Sequence, residues 1–142
     1  MAYQNSITLK VLVLLIVLLG AEARDFEFFP KKTLIIRNDI SPHPTPLDLI
    51  VHCKSKDDDL GFHTLAFGGT YSFQFRPKFF PIFGRTLFSC SFTWKGNPNP
   101  HCLNVYKQGV DDCKVCSWKI NTTGGCNDFK GHEECRKWEG CI

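Results

Sequence analysis

The sequence predicts an all-β protein, specifically a small, disulfide-stabilised antiparallel β-sandwich. Short runs of alternating apolar and polar residues recur along the chain, with turn-forming residues between them. No run beyond the N-terminal segment keeps a helical period, and eight cysteines occur in only 142 residues. Strands with one apolar face bury that face against another sheet, so a sandwich is expected, with a β-barrel as the alternative.

An unbroken apolar run, VLVLLIVLL at residues 11–19, marks the N-terminal segment. Lys10 precedes the run, and the small residues Ala21 and Ala23 suit a cleavage site. Because a membrane-spanning helix needs about 20 apolar residues, the run predicts a signal peptide over residues 1–23 rather than an uncleaved anchor. Cleavage after Ala23 would leave one secreted domain, Arg24–Ile142, in a compartment where disulfides form.

Four strands are predicted in the first half of this domain: Thr33–Asn38, Leu47–Lys54, Phe62–Phe67 and Thr70–Arg76. The second strand is entered through prolines at positions 42, 44 and 46. Gly68-Gly69 is typical of a hairpin turn, which would pair the third strand with the fourth.

Three further strands are predicted in the second half: Thr86–Trp94, Cys102–Tyr106 and Val115–Asn121. The segment Lys95–Pro100, with sequence KGNPNP, should not continue a strand. Its two prolines lack the N–H that a strand ladder needs.

Each of the clearest strands has one apolar face. Alternation places on such faces the sets Leu47, Leu49, Val51 and Cys53; Tyr71, Phe73 and Phe75; Phe88, Cys90, Phe92 and Trp94; and Cys116, Trp118 and Ile120. This period-two pattern is what two sheets packed face to face require.

Three cysteines share these apolar faces, namely Cys53, Cys90 and Cys116. A disulfide between such positions could bridge the two sheets through the core. At least one disulfide is expected to join two of these three, or to join one of them to Cys113 or Cys126.

Five motifs resemble the plant self-incompatibility protein S1 family, the S-protein homologues. They are VHCKSKDDDLG at 51–61, YSFQF at 71–75, TLFSCSFTW at 86–94, NVY at 104–106 and DDCKVCSWKI at 111–120. The resemblance extends from about residue 34 to Cys126. It implies a small secreted β-sandwich with disulfides and no enzymatic activity. The best-understood role in this family is that of a secreted pistil ligand that tells incompatible pollen to stop.

The C-terminal tail, Asn127–Ile142, is not part of this resemblance. Cys102, Cys135 and Cys141 also stand outside the cysteine positions associated with the family. A bond from Cys102 to Cys135 or Cys141 would tie the tail down. The disulfide candidates are therefore Cys53, Cys90, Cys102, Cys113, Cys116, Cys126, Cys135 and Cys141.

The most polar connection between predicted strands consists of Lys54, Ser55, Lys56, Asp57, Asp58 and Asp59. Such a segment must lie on the surface, because burial would leave its charges without water. We interpret it as a recognition loop for a cell-surface receptor, with Lys95–Pro100 as the next candidate. The alternatives are a solvated turn that discourages strand aggregation and a calcium site. Calcium loops alternate their acidic ligands, which consecutive aspartates do not.

Two short motifs point to covalent chemistry. Cys113-x-x-Cys116 has the spacing of half a zinc site or a redox pair, but export favours structural disulfides. A bond between these two cysteines is possible, although bonds to other strands would close longer loops. Asn121-Thr122-Thr123 is a glycosylation sequon, so Asn121 is the expected acceptor, and the alternative is an unused sequon in a turn.

No catalytic, metal-binding or cofactor-binding residues are expected. His52 and His63, near Lys54, would suit acid–base cleavage of RNA only if their side chains lay close together. The alternation along the second predicted strand places His52 on its polar face. The net charge of +3 is well mixed, without the Lys/Arg stripe that nucleic-acid binding requires.

The apolar segment Phe79–Phe83 is expected to close one end of the sandwich by burial. If it is exposed, it could contact a partner or lipid headgroups, and the alternative function is a secreted defence or membrane-active protein. Membrane contact and oligomeric state stay open.

Overall fold

The computed structural model describes residues 2–25, 30–41, 44–79 and 82–141. The chain divides into two compact units, residues 1–30 and residues 31–142. The first unit contains helix α1 (Ala2–Asp25). Within the described residues, no helix has the length and apolar character that a bilayer crossing requires.

The second unit is a sandwich of two sheets. Its described strands are β1 (Lys32–Asn38), β2 (Leu49–Lys54), β3 (Asp59–Leu65), β4 (Thr70–Phe75), β5 (Leu87–Trp94), β6 (Asn97–Lys107), β7 (Val115–Asn121), β8 (Gly124–Asn127) and β9 (Glu134–Lys137). One sheet has the order β4-β1-β7-β8-β9 and the other has the order β3-β2-β5-β6. The predicted β-sandwich is confirmed. Pairing is antiparallel except between β1 and β7, which run parallel.

The apolar faces predicted from the sequence form the core. The alternation in β5 is strict, because Phe88, Cys90, Phe92 and Trp94 are buried while the residues between them are half-exposed. The largest fully buried side chains are Trp118, Phe92, Leu34, Ile36, Ile40, Leu49, Leu103 and Ile120. The Trp118 indole N–H on β7 donates to the Val105 carbonyl on β6 (2.8 Å), so its one polar group is paired across the sandwich.

Asn38, at the end of β1, is the fully buried polar residue that ties the sheets together at one end. Its amide nitrogen donates to the carbonyl oxygens of Leu47 (2.7 Å) and Leu65 (2.9 Å). Leu47 lies just before β2, and Leu65 is the last residue of β3. The Asn38 side-chain oxygen accepts the backbone N–H of Ile40 (2.9 Å). One side chain therefore provides partners for three backbone groups, two in buried and one in partly buried surroundings.

The turn at Gly68-Gly69 does not form the predicted hairpin. The strands that it joins, β3 and β4, belong to different sheets. The Gly69 N–H closes the turn on the Ala66 carbonyl (2.8 Å), and the Gly68 N–H binds the carbonyl of Asn38 (2.8 Å). Gly68 has φ of 77°, which glycine adopts without strain. The turn thus carries the chain across the sandwich, which local sequence does not distinguish from a hairpin.

The prediction that Lys95–Pro100 would not continue a strand holds for β5, which ends at Trp94, but the expectation that its prolines would keep it out of a strand was wrong. β5 and β6 form a hairpin whose turn is Lys95-Gly96, and β6 begins at Asn97. Pro98 and Pro100 lie within β6, which is the last strand of its sheet. An edge strand tolerates proline because N–H groups on its outer side have no ladder partner.

Two strands that the sequence pattern does not predict, β8 and β9, lie at the start of the C-terminal tail and within it. β8 and β9 are the last two strands of the five-stranded sheet. They approach each other so closely that a side chain at Gly124 would collide with the Arg136 carbonyl. Beyond β9, the Glu139 N–H binds the Cys102 carbonyl on β6 (2.8 Å). The tail therefore joins the edge of one sheet to the edge of the other.

All eight cysteines form disulfides in the structure: Cys53–Cys90, Cys102–Cys141, Cys113–Cys116 and Cys126–Cys135. The first joins two of the three cysteines on apolar faces. It does not bridge the sheets, however, because the two residues are direct cross-strand neighbours on β2 and β5 of one sheet.

The remaining bonds decide between the alternatives for the other cysteines. The tail is anchored through Cys141 and not Cys135, whose partner is Cys126. Cys113 and Cys116 bond to each other, against the expectation that longer loops would be closed. Cys113 lies just before β7 and is buried like Cys116, and the sequence separation of 3 holds the two cysteines close together.

Candidate functional site

The Lys54–Asp59 loop is a compact turn at one end of the four-stranded sheet. It connects β2 to β3, whose facing ends pair at Lys54 and Asp59. Inside the turn, the Ser55 N–H donates to the Asp58 carbonyl (2.8 Å) and the Asp58 N–H donates to the Ser55 hydroxyl (3.2 Å). These bonds fix the backbone while the Lys and Asp side chains stay exposed.

The loop carboxylates bind separate partners. Asp57 pairs with Lys78 (2.7 Å), and both the hydrogen bond and the positive charge of Lys78 lower the pKa of Asp57. Asp59 accepts the Gly61 N–H (3.0 Å) and contacts the His52 imidazole (2.6 Å), and these bonds lower the pKa of Asp59, the Gly61 bond most. Carboxylates held by different partners do not converge as calcium ligands do.

A cleft of about 510 Å³ opens beside this loop. One wall is the loop, and the others come from the end of β4 and from the segment that enters β5. The lining residues are Lys54, Ser55, Lys56, Asp57, Asp58, Gln74, Phe75, Arg76, Lys78, Arg85, Thr86, Leu87, Phe88 and Ser89. Five of them are cationic, so the basic residues are less evenly distributed over the surface than the well-mixed charges along the sequence suggest.

Gln108 fixes the two segments that border the cleft opposite the loop. Its amide nitrogen donates to the Lys78 carbonyl (2.8 Å), and its amide oxygen accepts the Thr86 N–H (2.8 Å). The Lys78 N–H in turn donates to the Thr86 hydroxyl (2.8 Å). This closed set of bonds holds the backbone of residue 78 beside residue 86.

Replacing Lys78 by Met should raise the pKa of Asp57 towards its ordinary value. In the wild type the depressed pKa keeps the ion pair intact above the ordinary carboxyl pKa, and the pair is lost only as pH falls through the lower value. Carboxyl-carbon NMR titration measures this directly. Asp59 is the internal control, since its pKa depends on Gly61 and His52. An unchanged Asp57 titration would contradict the ion pair.

Comparison with known proteins gives a match over most of the second unit. The family model described as "Plant self-incompatibility protein S1" covers residues 33–138. The chain belongs to this family. The match continues past Cys126, where the sequence analysis placed the end of the resemblance, so most of the tail is part of the S1-family domain.

Curated relatives and a solved structure agree with this assignment. S-protein homolog 2 of Arabidopsis thaliana is 41% identical over 123 residues, covering 79% of this chain and 71% of the relative. S-protein homolog 29 of the same plant is 34% identical, covering 91% and 96%. The fold matches a structure of SPH (self-incompatibility protein homologue) proteins, described as "a widespread family of small, highly stable, secreted proteins from plants". That match has a TM-score of 0.53 at 15% identity, over 80% of this chain and 98% of the other.

The second candidate recognition segment of this S1-family chain lies far from the first. Leu49 pairs with Trp94 at one end of β2, and Lys54 pairs with Ser89 at the other. The turn at Lys95-Gly96 and the Lys54–Asp59 loop are therefore separated by the length of β2, about 17 Å. The two segments therefore lie at opposite ends of β2 and do not adjoin each other.

His52 and His63 lie on opposite faces of their sheet. His63 is paired with the buried Val51 and stacks on Tyr71 of the other sheet (ring centroids 3.8 Å apart). His52 faces outward and packs on Phe62 (4.2 Å). The two imidazoles therefore cannot act together on one substrate.

The Phe79–Phe83 segment was expected to be buried, but the residues of this segment that the structure describes are exposed. The side chains of Phe79, Ile82 and Phe83 are 40%, 68% and 68% exposed. Residues 80 and 81 lie outside the described part of the chain. The segment follows Lys78 and so adjoins the cleft.

The sequon lies at the turn between β7 and β8. The Asn121 side-chain oxygen accepts the Thr123 N–H (2.9 Å) and the Thr123 hydroxyl (2.8 Å). Asn121 is half-buried, whereas Thr122 and Thr123 are exposed.

Three of the five cations in the cleft were not singled out from the sequence: Arg76, Lys78 and Arg85. They flank proline- and glycine-containing connections, where charged residues are ordinary. All three lie in the connection between β4 and β5, and only tertiary packing brings this connection beside the β2–β3 loop, a proximity of which the sequence carries no signal.

Proposed function

We propose that this chain is a secreted plant recognition protein without catalytic activity, which acts as a ligand for a cell-surface receptor through the Lys54–Asp59 loop. The observation that carries the proposal is the combination of a fixed loop backbone with exposed charged side chains at the mouth of a cleft. A rigid backbone lowers the entropy cost of binding, and exposed charges give orientation and specificity. Family membership and the described secretion of SPH proteins support the extracellular setting.

A charge-swapped loop tests this function. The variant Lys54→Asp, Lys56→Asp, Asp57→Lys and Asp58→Lys keeps the loop length, the net charge and the Ser55 hydroxyl. Saturable binding of labelled protein to plant protoplasts, taken from a panel of tissues, should be lost. The matched control is Asp128→Lys with Lys130→Asp, which exchanges two exposed charges elsewhere. Equal binding by the loop variant and the wild type would refute the proposal.

Covalent processing should accompany secretion. We expect removal of residues 1–23, glycosylation at Asn121 and retention of all four disulfides in the exported protein. The mass and N-terminal sequence of protein recovered from plant medium test the first two, since the chain should begin at Arg24 and lose mass on deglycosylation. An N-terminus at Met1 would contradict the signal peptide.

A secreted defence or membrane-active protein is the second candidate, because Ile82 and Phe83 are large, apolar and exposed. Dye release from anionic liposomes, abolished by Ile82→Ser with Phe83→Ser, would support it. Binding to cells that disappears when surface proteins are digested would favour the receptor instead.

A further inference from the structure

The cleft beside the Lys54–Asp59 loop concentrates the positive charge of the protein. Its cations are Lys54, Lys56, Arg76, Lys78 and Arg85, and its acids are Asp57 and Asp58. Subtracting these from the 17 Lys/Arg and 14 Asp/Glu of the whole chain leaves 12 of each. The formal excess of +3 is therefore located at this cleft, and the rest of the chain is neutral by count. Such a concentration attracts an anionic partner.

The inner surface of the cleft is apolar and firmly supported. Phe75 and Leu87 are half-buried at its surface. The Phe75 ring packs against Phe88 and Tyr106, with ring centroids 4.7 Å apart in both cases. A ligand that is anionic throughout would have to desolvate polar groups against these rings without gaining hydrogen bonds. The site thus favours a ligand that combines carboxylates with apolar side chains.

The size and rigidity of the cleft suit a short segment. Its volume of about 510 Å³ is typical of pockets that bind small ligands. The Gln108 hydrogen bonds hold one side, and the Ser55–Asp58 turn holds the other. Little ordering is then required on binding.

We propose that this cleft binds a short acidic segment of a partner polypeptide, in which Asp or Glu residues flank apolar side chains. The carboxylates pair with the cations at the rim, and the apolar side chains cover Phe75 and Leu87. The inference rests on the proposed function and names the chemistry of the partner segment.

Fluorescence anisotropy with the exported, disulfide-bonded protein tests the site. The probe is a fluorescein-labelled peptide of alternating Glu and Leu, compared with Gln/Leu and Glu/Ser peptides of equal length. The Glu/Leu peptide should bind about tenfold more tightly than either comparison peptide, and its affinity should fall as salt rises. Binding of two anionic polymers of other classes, an oligomer of galacturonic acid and a single-stranded oligonucleotide, is measured for comparison.

The site variant is Lys56→Glu with Arg76→Glu, and it should bind the Glu/Leu peptide about tenfold more weakly. The control is Lys119→Glu with Lys130→Glu, which makes the same charge change at exposed positions outside the cleft and should stay within about twofold of the wild type. If the reversal variant unfolds by circular dichroism, Lys56→Gln with Arg76→Gln replaces it, with a smaller loss in the same direction.

Three results would overturn the inference: equal losses in site and control variants, absence of Glu/Leu binding at low salt, or tighter binding of either other polymer. The outcome is separable from that of the proposed function. Peptide binding is measured without cells, whereas the charge-swapped loop is judged on protoplasts.

Discussion

Asn38→Ala should destabilise the domain by on the order of 4 kcal/mol. The substitution removes two donated hydrogen bonds, to Leu47 and Leu65, and the bond that Ile40 donates. Asn38 and Ile40 are fully buried, so water cannot replace these bonds without local opening. Each buried polar group left unsatisfied costs about 1–3 kcal/mol, and partial relaxation keeps the total below the sum.

Urea unfolding followed by circular dichroism measures this loss. Asn99→Ala is the control, because Asn99 is exposed in the same protein and its truncation should change stability by less than about 0.5 kcal/mol. Asn38→Leu separates shape from hydrogen bonding, since it keeps a similar volume but has neither a donor nor an acceptor and adds no charge. A loss under about 1 kcal/mol in Asn38→Ala would show that the link is dispensable.

Removal of the Cys53–Cys90 disulfide should have a similarly large effect. The bond joins β2 to β5 in the core and closes a loop with a sequence separation of 37. The loop-entropy model gives about 4 kcal/mol for a loop of this length. The double variant Cys53→Ala and Cys90→Ala should unfold at correspondingly lower denaturant concentration.

The Cys113–Cys116 bond provides the matched comparison. Its cysteines are also buried, but its sequence separation is only 3. The same model gives about 2 kcal/mol, so Cys113→Ala with Cys116→Ala should cost about half as much. Because both variants lose two buried sulfurs, their difference reports loop closure. Equal losses would count against the chain-entropy account for this protein.

Strands with a strict alternation of apolar and polar residues were predictable, because successive side chains along a strand point to opposite faces of the sheet. Val115–Asn121 was predicted with the observed bounds, and the buried face of β5 was identified residue by residue. β8 and β9 were missed since GGCN and ECRK have little alternation and few β-branched residues. Their pairing comes from the Cys126–Cys135 bond and from the close approach at Gly124, which are tertiary features.

The candidate site was only partly predictable. The charged loop is visible as a run of polar residues, and its exposure follows from the cost of burying charge. The cleft is different, because Arg76 and Arg85 belong to the β4–β5 connection, which lies on another part of the chain from the charged loop. Sequence distance does not show that two loops from different sheets end side by side.

The parallel pairing of β1 with β7 determines how this domain reaches its fold. Thr33 aligns with Val115, 82 positions later in the chain, while β5 and β6 are joined by a two-residue turn. Local hairpins can form early, but the five-stranded sheet must wait for its most distant partners to meet, which makes folding slow. Because its thiols would be open to incorrect pairing during that delay, we expect a disulfide isomerase to increase the yield of correctly bonded protein.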